Sequence, residues 1–257
     1  MAISSTKIKL RPKTMRQDPW WIQPLIARLG LILFIVYATW AALQNSHYYY
    51  KPYLSPLYSP CLSDNCSYQS IPLVGSWWKL SPALLILPFP LGFRATCYYF
   101  RKAYYRSFFR LPSNCGVRDS SSKYSGETKF PLVLQNLHRY FFYLALPFAV
   151  VLSWDAISSF DFNGYFGIGL GSIILSIDSI LIWLYMLSCN SCRHLCGGRT
   201  KKFSSSKVGY FSWKYLSKLN VYHMQFAWVS LGWVVVSDLY IRLVSSGVFS
   251  DPRIVFH

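Results

Sequence analysis

The stretch LSCNSCRHLCGG, Leu187 to Gly198, sets Cys189, Cys192, His194 and Cys196 within eight residues. Thiolates and imidazoles at such spacing are the ligands of borderline-soft metals. Two further histidines stand in apolar surroundings, His138 in LQNLHRYFF and His223 in LNVYHMQFAW. Two thiolates with two imidazoles suit a Rieske-type [2Fe–2S] cluster, two Cys on one iron and two His on the other. They equally suit a structural zinc tetrahedron. A third arrangement has His138 and His223 as axial ligands of one haem b, with the cysteines as bystanders. Against all three stands a plain reading: each histidine is a hydrogen-bonding residue near a helix end, and C-x-x-C is a pair of free thiols. A ligand set alone does not fix the metal.

Positioning these residues falls to membrane helices. The chain is 53% hydrophobic and 19% aromatic with only 14% charged residues, more apolar than a soluble core requires. Five apolar segments reach the length of about 20 residues that a crossing needs: 22–43, 80–100, 132–154, 165–187 and 219–243. The second carries Pro82, Pro88 and Pro90, kinks that survive in lipid where neighbouring helices cover the freed carbonyls. The net charge of +17 comes from 26 Lys+Arg against 9 Asp+Glu, concentrated before residue 22 and in the 101–131 and 190–218 loops. The 44–79 and 157–164 connections hold only Lys51 and Lys79. The positive-inside rule then gives an all-α polytopic membrane protein, a five-helix transmembrane bundle. Its N-terminal segment 1–21 is cytoplasmic, its transmembrane domain covers 22–245, and the tail 246–257 lies outside. No cleaved signal peptide is read at the N-terminus. On this topology Cys189, Cys192, His194, His138 and His223 all sit at cytoplasmic helix ends, with Cys97 near the same depth.

The basic balance is topological, and nucleic acid is not an expected partner; the partners of such loops are anionic lipid or protein surfaces. Asp178, midway along the fourth segment, is either a proton-handling carboxylate or one held neutral or paired. Asp155 and Asp238 fall near outer helix ends, where they are expected to be solvated, and Arg94 near an inner one, where it can snorkel. Cys61 and Cys66 in SPCLSDNCSY are candidates for a small outer disulfide. No P-loop, nucleophile elbow or metalloprotease motif is present.

Several blocks carry a resemblance: DPWWIQPL, YLSPLYSPCLS, GFRATCYYFRKAYYRSFF, YSGETKFPLVLQNLHRYFFYLAL, SCNSCRHLCGG and SKLNVYHMQFAW. Over about residues 16–252 the chain resembles the five-helix membrane anchor of bacterial succinate dehydrogenase, the complex II branch of mycobacteria and other menaquinone users. The resemblance implies an anchor in the cytoplasmic membrane that docks a flavoprotein, with its FAD, and an iron–sulfur subunit, and passes electrons to a quinone, here menaquinone. It also implies an embedded Rieske-type cluster in place of haem b, and allows association of several complexes. Cys189, Ser191, Cys192, Arg193 and His194 match the family's cysteine block; Asn190 and Cys196 depart from it. The ligand set this implies is Cys189 and Cys192 with two of His138, His194 and His223. Trp20, Trp21, Arg94, Tyr98, Arg139 and Tyr140 are the quinone-site candidates by depth. The alternatives of a haem b anchor, or a membrane protein such as a small transporter with a structural zinc, stay open at this point.

Overall fold

The computed structural model describes residues 18–60, 71–74, 78–80, 82–110, 115–117, 132–198, 202 and 206–256. The candidate disulfide cysteines Cys61 and Cys66 lie outside them. In chain order the elements begin with α1 (Ile22–Gln44), β1 (Tyr49–Tyr50), β2 (Tyr53–Leu54), β3 (Ile71–Val74) and β4 (Trp78–Leu80). Then come α2 (Pro82–Ile86), α3 (Pro88–Thr96), α4 (Tyr98–Tyr104) and a π turn, Tyr105–Phe109. A 3-10 turn, Leu132–Leu137, leads into α5 (His138–Ser158), followed by β5 (Asp161–Phe162), β6 (Tyr165–Gly169) and α6 (Leu170–Leu187). After α7 (Asn190–Arg193) and a second π turn, His194–Gly198, the chain ends with α8 (Lys207–Asn220), α9 (His223–Ser245) and β7 (Arg253–Val255).

Among the described residues, four helices are long and apolar enough to cross a membrane: α1, Val133–Ser158, α6 and α9. The expected second span is instead three short helices. Pro88 and Pro90 start a new helix by removing two backbone donors, and Cys97 takes an extended conformation that ends it. The fourth helix starts at Leu170 rather than 165, because residues 165–169 pair with β5 and with the chain's last strand. The fifth expected segment is α9, which starts at His223 rather than 219, with the separate helix α8 ending at Asn220 just before it.

Two ends of the bundle differ in chemistry. At the loop end, small antiparallel sheets close over the helices, the largest being β5–β6–β7. There Asp251 accepts from Tyr53 Oη at 2.6 Å, Tyr240 Oη at 2.5 Å and the Gly171 N–H at 3.1 Å. A carboxylate on the first turn of α6 complements the helix dipole. Burial, with the Asp251 hydrogen bond, raises the Tyr53 phenol well above its ordinary range. Gly171 is required there, since a β-carbon would overlap the Tyr53 ring. Beside it, Asp238 of α9, buried rather than solvated, accepts from Tyr37 (2.6 Å), Ser55 and Arg242 Nε (2.7 Å). Arg242 also donates to Gln44 Oε1 and to the carbonyls of Ala41 and Ser46. Small residues of α6 are buried on the α5 side, Ser172 Oγ donating to Ser159 O at 2.7 Å and Ser179 Oγ lying 3.0 Å from Ser153 Oγ, which is how helices approach closely in lipid. At the opposite, basic end a core of Phe93, Cys97, Phe142, Tyr185, Cys189 and Ala227 is buried.

Candidate metal centre

Two cysteines interrupt helices in the same way. Cys97 separates α3 from α4 at φ −65°, ψ 133°, and Cys189 separates α6 from α7 at φ −67°, ψ 141°. An extended residue at the N-cap turns its side chain toward the free N–H groups of the following helix. Cys189 Sγ accepts from the Ser191 N–H at 3.4 Å, and Cys97 Sγ faces the N–H groups of Tyr99 and Phe100. Such a position favours a thiolate. Both side chains are 1% exposed. Burial pushes the Cys189 thiol up to about 11, outweighing the Ser191 N–H, so it holds its proton at neutral pH until a cation displaces it.

The two histidines repeat the symmetry. His138 opens α5, with Nδ1 3.0 Å from Thr96 Oγ1 and Nε2 3.3 Å from Cys189 Sγ. His223 opens α9, with Nδ1 2.7 Å from Ser188 Oγ and Nε2 3.6 Å from Cys97 Sγ. The residue before each cysteine therefore holds the imidazole whose far nitrogen meets the other cysteine. Hydrogen-bond accounting assigns one tautomer to each ring. Thr96 donates its one hydroxyl proton to the Gly92 carbonyl at 2.7 Å, and Ser188 donates to Tyr185 O at 3.0 Å. Each hydroxyl then accepts from Nδ1–H, which leaves the Nε2 lone pair of both rings facing sulfur.

Aromatic rings fill the space between the imidazoles. His138 stacks on Phe93 with centroids 4.7 Å apart, Phe93 meets Tyr185 at 5.2 Å, and Tyr185 stacks on His223 at 5.1 Å. A haem plane between His138 and His223 would need that volume.

Of the remaining residues of the expected set, Cys192 lies in the same buried core as Cys97 and Cys189, within electrostatic reach of Cys189. Cys192 is buried on α7, its Sγ 3.9 Å from that of Cys196, and burial together with Cys196 raises its thiol to about 12. His194 is exposed in the π turn that follows. Among the described residues no group of three or more Cys, His, Asp or Glu is placed to hold one ion; the four donors described above stand as two Cys–His pairs. Cys97, though read at the depth of the other donors, was missing from the sequence-derived ligands because its block carries no second thiol or imidazole. The signal available was the doublet: Thr96-Cys97 and Ser188-Cys189 share a hydroxyl residue followed by cysteine.

An apolar cavity adjoins this centre. It is lined by Phe93, Arg94, Phe148, Ile182, Tyr185 and Leu231 and reaches Leu57 and Ser59 toward the loop end. Arg94 donates to Ala227 O at 3.0 Å and Ser230 Oγ at 3.1 Å, and its guanidinium lies 4.8 Å from the Tyr185 ring centroid. Asp178 is buried, within electrostatic reach of Arg94, and its Oδ1 has no hydrogen-bond partner among the described residues. Trp21, Tyr98 and Tyr140 are more than half exposed and Arg139 is exposed; neither these nor half-buried Trp20 lines the cavity.

A family described as actinobacterial succinate dehydrogenase subunit SdhC matches residues 22–247. The chain is 47% identical to a chain of the Mycobacterium smegmatis Sdh1 complex in the apo form, covering 96% of each, with a TM-score of 0.84. A comparison with curated protein sequences gives no match. The chain therefore belongs to the actinobacterial SdhC family: it is a multi-pass membrane-anchor subunit of succinate dehydrogenase, and succinate is oxidised on its partner subunits.

Proposed function

We propose that this anchor takes electrons from the iron–sulfur subunit at its basic, cytoplasmic end and delivers them to a quinone, and that Cys97, Cys189, His138 and His223 hold a Rieske-type [2Fe–2S] cluster there. When bound, such a cluster supplies one-electron transfer at a potential raised by its imidazole ligands. The observation that carries this reading is the paired geometry: two thiols at helix N-termini, and two imidazoles with Nε2 lone pairs turned toward them. Two thiols and two imidazoles match the Rieske composition. Thr96 and Ser188 orient the rings, as outer-shell partners of metal-binding histidines do.

The chain's other contribution is a binding site for the quinone, menaquinone on this reading. The cavity is apolar enough for an isoprenoid quinone and presents Arg94 as its charged donor, a few polar groups in an apolar cleft being the usual form of such sites. Guanidinium N–H groups not used on Ala227 and Ser230 are free by valence to orient a quinone carbonyl.

The test is EPR with iron analysis on the purified complex. In C97S the anchor's Rieske-like signal should vanish, with loss of iron and of quinone reduction, while succinate oxidation with a soluble dye is largely kept. In C192S the signal should persist. Loss in C192S with retention in C97S would move the ligand set to the C-x-x-C pair, and a Soret band in the wild type would replace the cluster with haem.

A further inference from the structure

The helix α8 has two unlike faces. One packs on the π turn that follows Cys192: Leu216 is buried, and a β-carbon on Gly197 would overlap Gly209 O and Trp213 Cβ. The other is open. Val208, Phe211 and Tyr215, at spacings of three and four, are 78%, 71% and 59% exposed. Lys207, Lys214 and Lys218, also exposed, recur at spacings of seven and four. On a helix of 3.6 residues per turn these form two adjacent rows on one side. Between Asp178 and Asp238 the sequence has no acidic residue, so nothing in this segment neutralises the lysine row. Val221 and Tyr222, both exposed, join α8 directly to the apolar helix α9, which begins at His223. The helix thus lies where the chain enters the membrane.

We propose that the open face of α8 binds anionic phospholipid of the adjoining leaflet. Lys207, Lys214 and Lys218 meet the phosphates, and Val208, Phe211 and Tyr215 enter the acyl boundary. An apolar row beside a lysine row is the pattern of a helix lying in the membrane interface. Near a charged surface each lysine strengthens binding several-fold. A protein partner of the same sign complementarity would call for acidic residues, and a mostly aromatic and aliphatic row exposed beside a membrane entry point favours lipid.

The test uses the intact complex, delipidated and then equilibrated with mixed phosphatidylglycerol and phosphatidylcholine vesicles, with retained lipid counted by native mass spectrometry. Wild type should retain phosphatidylglycerol preferentially, and K207Q/K214Q/K218Q should lose about tenfold or more of that preference. The charge-keeping K207R/K214R/K218R should match wild type. Equal retention in wild type and the Gln variant overturns the proposal. So does a fall in the Arg variant equal to that in the Gln variant, which would point to a lost helix rather than lost charge. Detachment of a partner subunit at unchanged lipid retention overturns it too and assigns the face to protein.

Discussion

Thr96 and Ser188 do for the two imidazoles what neither cysteine can. Each spends its single proton on a backbone carbonyl of its own helix, Gly92 or Tyr185, and so presents only lone pairs to the ring. Removing either hydroxyl frees Nδ1 and lets the ring rotate or change tautomer. On the proposed cluster, T96V and S188A are therefore expected to lose iron to a chelator about tenfold faster and to shift its midpoint potential, in line with outer-shell substitutions elsewhere. T96S should behave as wild type, and iron retention at the wild-type rate in both T96V and S188A would remove these hydroxyls from the site. That His138, His223 and Cys189 share one end of the bundle was legible in the sequence, because polar residues in apolar runs stand out. The parts played by Cys97 and Tyr185 were not, since a cysteine or tyrosine inside an apolar run reads as packing until a helix break or a ring stack shows otherwise.

Helix breaks are the element-scale device of this protein. Pro88 and Pro90 restart α3, and the break at Cys97 tilts α4 into a π turn whose Ser107 carbonyl accepts from Arg28 of α1, Nε at 2.7 Å. The same sequence rules that located α1 within a residue started the last long helix at 219 rather than at His223, because apolar and aromatic residues continue across Val221–Tyr222 without a proline or glycine. Nor did hydropathy separate β6 from α6, because YFGIG is as apolar as the helix it precedes. At the loop end the elements are tied by Asp238 and Arg242, one turn apart on α9 and buried. Breaking a buried pair by removing one partner typically costs about 3–5 kcal/mol, because the other charge is left uncompensated. D238A should therefore lower the thermal denaturation midpoint of the purified complex sharply, with Tyr37 and Ser55 losing their acceptor as well. R242M should do the same, and an unchanged midpoint in both variants would mean that the pair is not what holds α9 to α1.

At the scale of the whole molecule the question is how often the chain crosses. Four unbroken crossings would leave both termini on one side; a fifth through α2–α4 would place them on opposite sides. Packing bears on the choice. Ala83 of α2 shares a core with Ala41 and Ala42 near the loop end of α1, whereas Ser107, just past α4, meets Arg28 near its basic end. The broken segment thus runs alongside α1 in the opposite direction. Residues 82–104, if fully helical, would extend about 34 Å at 1.5 Å per residue, enough for a hydrocarbon layer of about 30 Å. Charge agrees: the ends holding Arg101, Lys102, Arg193 and Lys207 are basic, and the loop-end connections are not. A reporter active only outside the membrane should therefore be active when fused after His257 and silent when fused before Ile22. Activity at neither terminus would make α2–α4 a re-entrant segment and the bundle a four-crossing one. The Cys–His centre would still share its end with α8, but the cavity beside Arg94 would then be walled by a segment that enters and leaves on the same side.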